Sequence, residues 1–340
     1  MKFSVGYKIL PDNEFINYII KNKDKVYEVY FSWGDFPNGR NNQLVHENFY
    51  PWQALQKQID DLHALSDGGV SLNLLLNGNC YGKYSLSRAL FLKIGDTVDY
   101  INSSFGLASV TTTSPVIAKF IKSNFPHIKT RASINMEIGT VCGMDYISEY
   151  FDGYYLRREY NRNITAVKRA KKWCDENGKE LFMLANSGCL NFCSAHTFHD
   201  NIVAHESEIS EMDNAYEFKG QCWDYLSKKE KQISVLRDMS YIRPEDVELF
   251  DGYFTSAKLA TRVSQNPVRT LRAYFDKSYT GAITDILEPS HTSVLYPEIV
   301  ENKNIPEDFT KTVMSCDKNC GKCGYCAEVF ENAKVNLEKY

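Results

Sequence analysis

Short runs rich in β-branched and aromatic residues alternate along the chain with stretches in which apolar residues recur every three or four positions. The runs at 3–7, 27–32, 70–76, 98–103, 130–135, 153–157, 180–185 and 253–258 have the length and composition of buried strands. The helical stretches between them are punctuated. Pro51 opens a helix carrying Leu55, Ile59 and Leu62, and Asp67-Gly68-Gly69 stops it. Ser114-Pro115 reads as an N-cap followed by proline at the first helical position, ahead of Ile117, Phe120 and Ile121. Ile164, Val167, Ala170 and Cys174 share one face of a helix over 164–177, with Gly178 as its stop. Repeated alternation of this kind argues for parallel βαβ units, and eight of them for an α/β fold of the TIM-like (β/α)8 type.

In such a barrel the loops after the strands converge on one mouth. The polar groups at those positions are Ser32 to Asp35, Asn77 to Cys80, Asn135, Arg157 to Glu159, Asn186 to Cys189, and Lys258 with Arg262. The stretch 201–240 breaks the alternation. It is polar and too long for an ordinary connection, so it is expected to cover the mouth. The barrel is assigned to 1–287, and a C-terminal extension with a Cys-rich module to 288–340.

Composition narrows the class. Apolar residues make up 43% and charged residues 24%, as in a soluble globular protein, and a net charge of -4 gives no bulk-charge support for nucleic-acid binding. The N-terminus lacks a basic segment followed by a long apolar run, and no stretch is long enough for a membrane span, so a cytoplasmic protein is expected. Ten cysteines in a reducing compartment then point to metal or cluster binding rather than disulfides.

Two cysteine groups carry that chemistry. In the stretch 186–206, Cys189 and Cys193 stand beside His196, His199 and His205, with Asp200 and Glu206 next to two of the rings. Thiolates are soft metal ligands, and a neutral imidazole can bind metal, move a proton or hold substrate. Cys222 and Cys80 are the candidate partners of the pair. Three cysteines would leave a metal position open for substrate, and four would close it. The tail holds Cys316, Cys320, Cys323 and Cys326 with glycines between them, a donor set that suits zinc or a 4Fe-4S cluster equally. Its Cys-x3-Cys-x2-Cys spacing looks like a radical-SAM triad, but it lies at the wrong end of the chain. Arg243 and Arg262, with Lys258, are the candidates for holding an anionic substrate.

The runs Tyr241-Ile242-Arg243-Pro244-Glu245-Asp246 and Lys258-Leu259-Ala260-Thr261-Arg262, with Ala273-Tyr274, Tyr279-Thr280-Gly281, the Asn186-Ser187-Gly188-Cys189 loop and the early strand Glu28-Val29-Tyr30-Phe31, resemble the collagenase-like peptidase U32 family. The resemblance implies a TIM-like barrel with a cysteine-bound 4Fe-4S cluster at its mouth, drawn from Cys80, Cys189, Cys193 and Cys222. It further implies oxygen-independent hydroxylation or atom transfer on a small-molecule or RNA substrate, with an electron-transfer partner as a further candidate. The cysteine spacing departs from that of the hydroxylating members, so the reaction does not transfer with the fold.

The sequence therefore predicts an iron-sulfur enzyme. Cys189, Cys193 and Cys222 would hold a cluster, His196, His199, His205, Asp200 and Glu206 would handle protons, and the tail would hold a second cluster or zinc. The competing expectation is a metal-dependent peptidase with zinc at the Cys/His loop and Glu206 or Asp200 as base, although the chain has neither a His-Glu-x-x-His nor a Gly-x-Ser-x-Gly motif. A non-enzymatic RNA-binding scaffold is the third, disfavoured by the acidity.

Overall fold

Alternation of inward and outward side chains along each strand produces the architecture of the computed structural model, which describes residues 1–40 and 48–339. Eight parallel strands among those residues close into a barrel: β1 Phe3–Gly6, β2 Val26–Phe31, β3 Leu72–Leu76, β4 Ser109–Thr112, β5 Lys129–Ala132, β6 Gly153–Tyr155, β7 Glu180–Leu184 and β8 Ser256–Leu259. They pair in chain order, and β8 returns to β1 through the register Ser4 to Lys258. Val5, Val29, Phe31, Leu74, Val110 and Leu259 face outward and pack under the surrounding helices in one core.

The inward face is unusually polar. Glu28 on β2 is buried and ion-paired with buried Arg131 on β5. Ser4 Oγ and Asn73 Nδ2 donate to Glu28 Oε1 at 3.1 and 2.9 Å, and the Arg131 guanidinium lies 4.5 Å from the centre of the Phe182 ring. A buried pair persists when further hydrogen bonds satisfy its lone pairs, and the two neighbouring strands β1 and β3 supply them here.

The helix boundaries follow their punctuation. Helices run over Pro51–Asp67, Pro115–Asn124 and Ile164–Glu176, and the Ser114 hydroxyl accepts from Ile117 N at 3.3 Å. One expected strand is corrected: 98–103 lies inside the helix Arg88–Phe105, where Leu90, Ile94, Val98, Ile101 and Phe105 form a continuous buried face. Helical spacing extending on both sides outweighs the local β-branched composition. The fourth strand is instead Ser109–Thr112, a run with a single aliphatic side chain.

Between β7 and β8 the chain makes the expected excursion, with helices His196–Ala204, Glu206–Ser210, Gln221–Leu226 and Ser234–Arg237. The tail returns to the body: Glu298–Val300 pairs antiparallel with Lys334–Asn336, and Phe309, Val313, Val329 and Phe330 join the barrel's core. Among the described residues, no helix is long and apolar enough to cross a membrane.

Candidate active site at the barrel mouth

Asn186, the second residue beyond β7, anchors the loop that carries the central cysteines. Its Nδ2 donates to Ala260 O at 2.8 Å and to Ile286 O at 3.0 Å, and its Oδ1 accepts from Ala260 N at 2.7 Å. His291 Nε2 lies 3.1 Å from Gly188 O and fastens the next turn from the far side. The loop therefore leaves the barrel in a fixed direction, toward a cavity of about 370 Å³ over the C-terminal ends of the strands.

The cavity gathers much of what the sequence singles out. Cys189, Cys193, Cys222, His196, His199, Asp200, Glu206, Lys258 and Arg262 all line it, together with Arg40, Arg158 and Glu288. Cys222 arrives from the excursion, on the helix Gln221–Leu226. Gly220 before it has φ 100°, and a Cβ there would fall 3.3 Å from His199 Cε1 and 3.5 Å from Cys222 Sγ, so this glycine lets ring and thiol come together. Arg158 Nη1 lies 3.2 Å from Cys189 Sγ. Burial pushes the Cys222 thiol up to about 12, with the charges of Cys189 and Cys193 adding to the effect.

Three thiols in one cavity with arginine beside them suit a soft metal or an iron-sulfur cluster. As the side chains stand, however, no group of three or more His, Cys, Asp and Glu among the described residues is gathered to hold a metal ion. The cavity presents the donors without closing them.

The remaining groups divide by charge. Burial, with Arg158, His199 and Arg40 adding positive charge, lowers His196 to about 3. The ring is therefore neutral. Its Nδ1 lies 3.0 Å from Glu137 Oε1 and donates to it, leaving Nε2 as an acceptor. Burial raises Asp200 and Glu206 against the opposing charge of Arg40, and Glu206 Oε2 is buried without a hydrogen-bond partner among the described residues. Arg40 Nε donates to Glu288 Oε1 at 2.7 Å, and Arg262 Nη1 donates to Asn38 Oδ1 at 3.1 Å.

Several expected residues lie elsewhere. Arg243 is not at the mouth: its guanidinium is taken up by Asp246 Oδ2 at 2.7 Å and by the carbonyls of Ile305 and Pro306, both at 3.0 Å, so it clamps the tail. Neither Cys80 nor His205 lines the cavity. The two are hydrogen-bonded to each other; Gly82 N donates to Cys80 Sγ at 3.3 Å, and His205 Nδ1 lies 2.6 Å from Glu208 Oε2. The bond to His205 lowers the Cys80 thiol and raises His205. The tail cysteines are also outside the cavity; Cys316, Cys320 and Cys323 are exposed, and burial raises Cys326 with Cys320 and Cys316 adding to it.

Arg40, Glu288 and His291 were missed by the sequence reading. Each sits in a connection of ordinary composition and acquires its partner only when distant parts of the chain meet.

No family model matches the chain. The chain is 23% identical over 333 residues to the uncharacterized protease MJ1657 of Methanocaldococcus jannaschii, covering 92% of this chain and 90% of that protein. Among solved structures it is similar to the U32 peptidase Mk0906, with a TM-score of 0.55 and 13% identity over 76% of this chain and 91% of that one. The chain is thus similar over nearly its full length to the archaeal protein, and it shares its barrel fold with the U32 peptidase.

Proposed function

We propose that the chain is an enzyme whose reaction takes place in the mouth cavity, on a small substrate bearing an anionic group, with Cys189, Cys193 and Cys222 as ligands of a 4Fe-4S cluster. The observation that carries this reading is that cysteines from the β7 loop and from a separate helix of the excursion share one cavity with Arg40, Arg158, Lys258 and Arg262. A cluster held by three thiolates would supply one-electron or atom transfer, as in oxygen-independent hydroxylation, with one metal position free of cysteine.

The chain's own residues prepare the site. Arg262 and Arg40 bind the substrate's anionic group, since guanidinium pairs bidentately with carboxylate or phosphate. His196 offers Nε2 as a hydrogen-bond acceptor, and Glu206, whose carboxyl burial raises above its ordinary value, is the group that handles a proton. The excursion excludes water through Phe218 and Trp223. The tail cysteines Cys316, Cys320, Cys323 and Cys326 would hold a second cluster or a zinc ion. Anaerobically purified protein is expected to show visible cluster absorption that Cys222→Ser and Cys189→Ser each diminish; full retention in both variants would contradict the assignment.

A second reading, hydrolysis, is favoured by the Cys80, His205 and Glu208 arrangement and by the protease name of the archaeal relative. The Cys80 thiolate would add to an acyl carbon, the bond to the leaving amine would break with His205 giving it a proton, and water would cleave the thioester. p-Nitrophenyl acetate is then expected to acylate Cys80 faster than exposed Cys142, and His205→Ala to remove the difference. Equal acylation of the two thiols would end this reading.

A further inference from the structure

Lys258 stands on the inward face of β8, 7% exposed, and lines the cavity. Its Nζ lies 4.0 Å from the centre of the Tyr30 ring and 5.1 Å from that of Tyr155. The two carboxylates whose charge acts on it are committed elsewhere, Glu28 to Arg131 and Glu288 to Arg40. A structural lysine this deep is ordinarily paired with an acid. Here the neighbouring charge on the same segment is Arg262, a second cation.

The Tyr30 ring is held in place for this contact. Its hydroxyl donates to Leu259 O at 2.8 Å, and a Cβ on Gly6 would fall 2.7 Å from the Tyr30 hydroxyl oxygen, so β1 must carry glycine opposite it.

We propose that Lys258 is an amine nucleophile that condenses with the carbonyl of a small oxo acid, while Arg262 and Arg40 hold the acid's anionic group. The proposal rests on the mouth cavity being the reaction site and does not require the cluster. The amine nitrogen gives its electron pair to the carbonyl carbon. The carbonyl C–O bond then breaks, and the oxygen leaves as water with the two protons the nitrogen gives up. The net change is carbonyl plus primary amine to imine plus water, with no oxidant or reductant.

The environment favours the free base. Burial, with Arg262 and Arg40 adding positive charge, lowers the Lys258 ammonium to about 7, so a large share of it is nucleophilic at neutral pH. Lys172, whose side chain is 77% exposed, serves as the surface comparison.

The test is reductive trapping. Full-length protein is incubated at pH 7 with glyoxylate, pyruvate or 2-oxoglutarate and cyanoborohydride, then peptide-mapped, with iron and sulfide measured on the same samples. The expected result is an adduct at Lys258 at least about tenfold above that at Lys172, because the cavity lysine is held beside the cations that bind the acid. Lys258→Arg abolishes the adduct, and Arg262→Met lowers it more for oxo acids than for uncharged acetaldehyde, which loses only the help that the Arg262 charge gives the free base. Adducts spread evenly over surface lysines, or none at Lys258 in folded protein, would overturn the proposal. An adduct in iron-free protein would leave it standing while the cluster reading falls, and a bound cluster without an adduct would do the reverse.

Discussion

At the scale of single residues, Lys258 gives the sharpest expectation about stability. Its folded-state value of about 7 lies below that of an unfolded lysine, so between roughly pH 7 and 10.4 the unfolded chain binds a proton that the folded chain does not. Stability from this group is therefore present at high pH and lost as pH falls toward 7. Lys258→Met should remove that slope and raise the urea midpoint at pH 7, because an apolar side chain replaces a buried amine without an acid partner among the described residues. A midpoint that falls would mean the lysine is structural. Gly6→Ala should lower stability by about 1–3 kcal/mol by overpacking the Tyr30 ring, and a midpoint equal to that of the unaltered protein would remove the argument for that glycine.

Residue chemistry was legible wherever it was concentrated in the sequence. Cys189, Cys193, His196, His199, Asp200 and Glu206 lie close together in the chain and all reach the cavity. Arg243 misled because its contacts with Ile305 and Pro306 come from a distant part of the chain, and spacing cannot show that a guanidinium is already occupied. Cys80 was correctly placed after β3 but stops outside the cavity, where His205 meets it.

At the scale of elements, the caps and stop signals located the helices, and the strands β1, β2, β3 and β5 to β8 fell within runs of strand-like length and composition. The fourth strand was not, because Ser109–Thr112 places serine and threonine inside a polar barrel while the preceding helix offers the more β-like composition at 98–103. The same polar interior is where strand packing is most vulnerable. Arg131→Met leaves Glu28 buried without its arginine, and should cost about 3–5 kcal/mol in equilibrium unfolding. Pairing it with Glu28→Leu should recover a large part of that loss, whereas simple additivity of the two substitutions would show that the pair is not coupled.

At the scale of the whole molecule, the barrel gives a rigid floor and the excursion between β7 and β8 supplies the wall, so the candidate site depends on contacts between regions far apart in the chain. The tail contributes to the same arrangement through the Glu288 to Arg40 pair and the clamp on Arg243. The central claim is that the mouth, independently of the tail, holds an iron-sulfur cluster. Its most direct test is the iron and acid-labile sulfide content of anaerobically purified protein in which Cys316, Cys320, Cys323 and Cys326 are all replaced by serine. About four irons with matching sulfide per chain are expected, lost on further replacement of Cys189 and Cys193. Protein that is folded but free of iron and sulfide before that second replacement would contradict it.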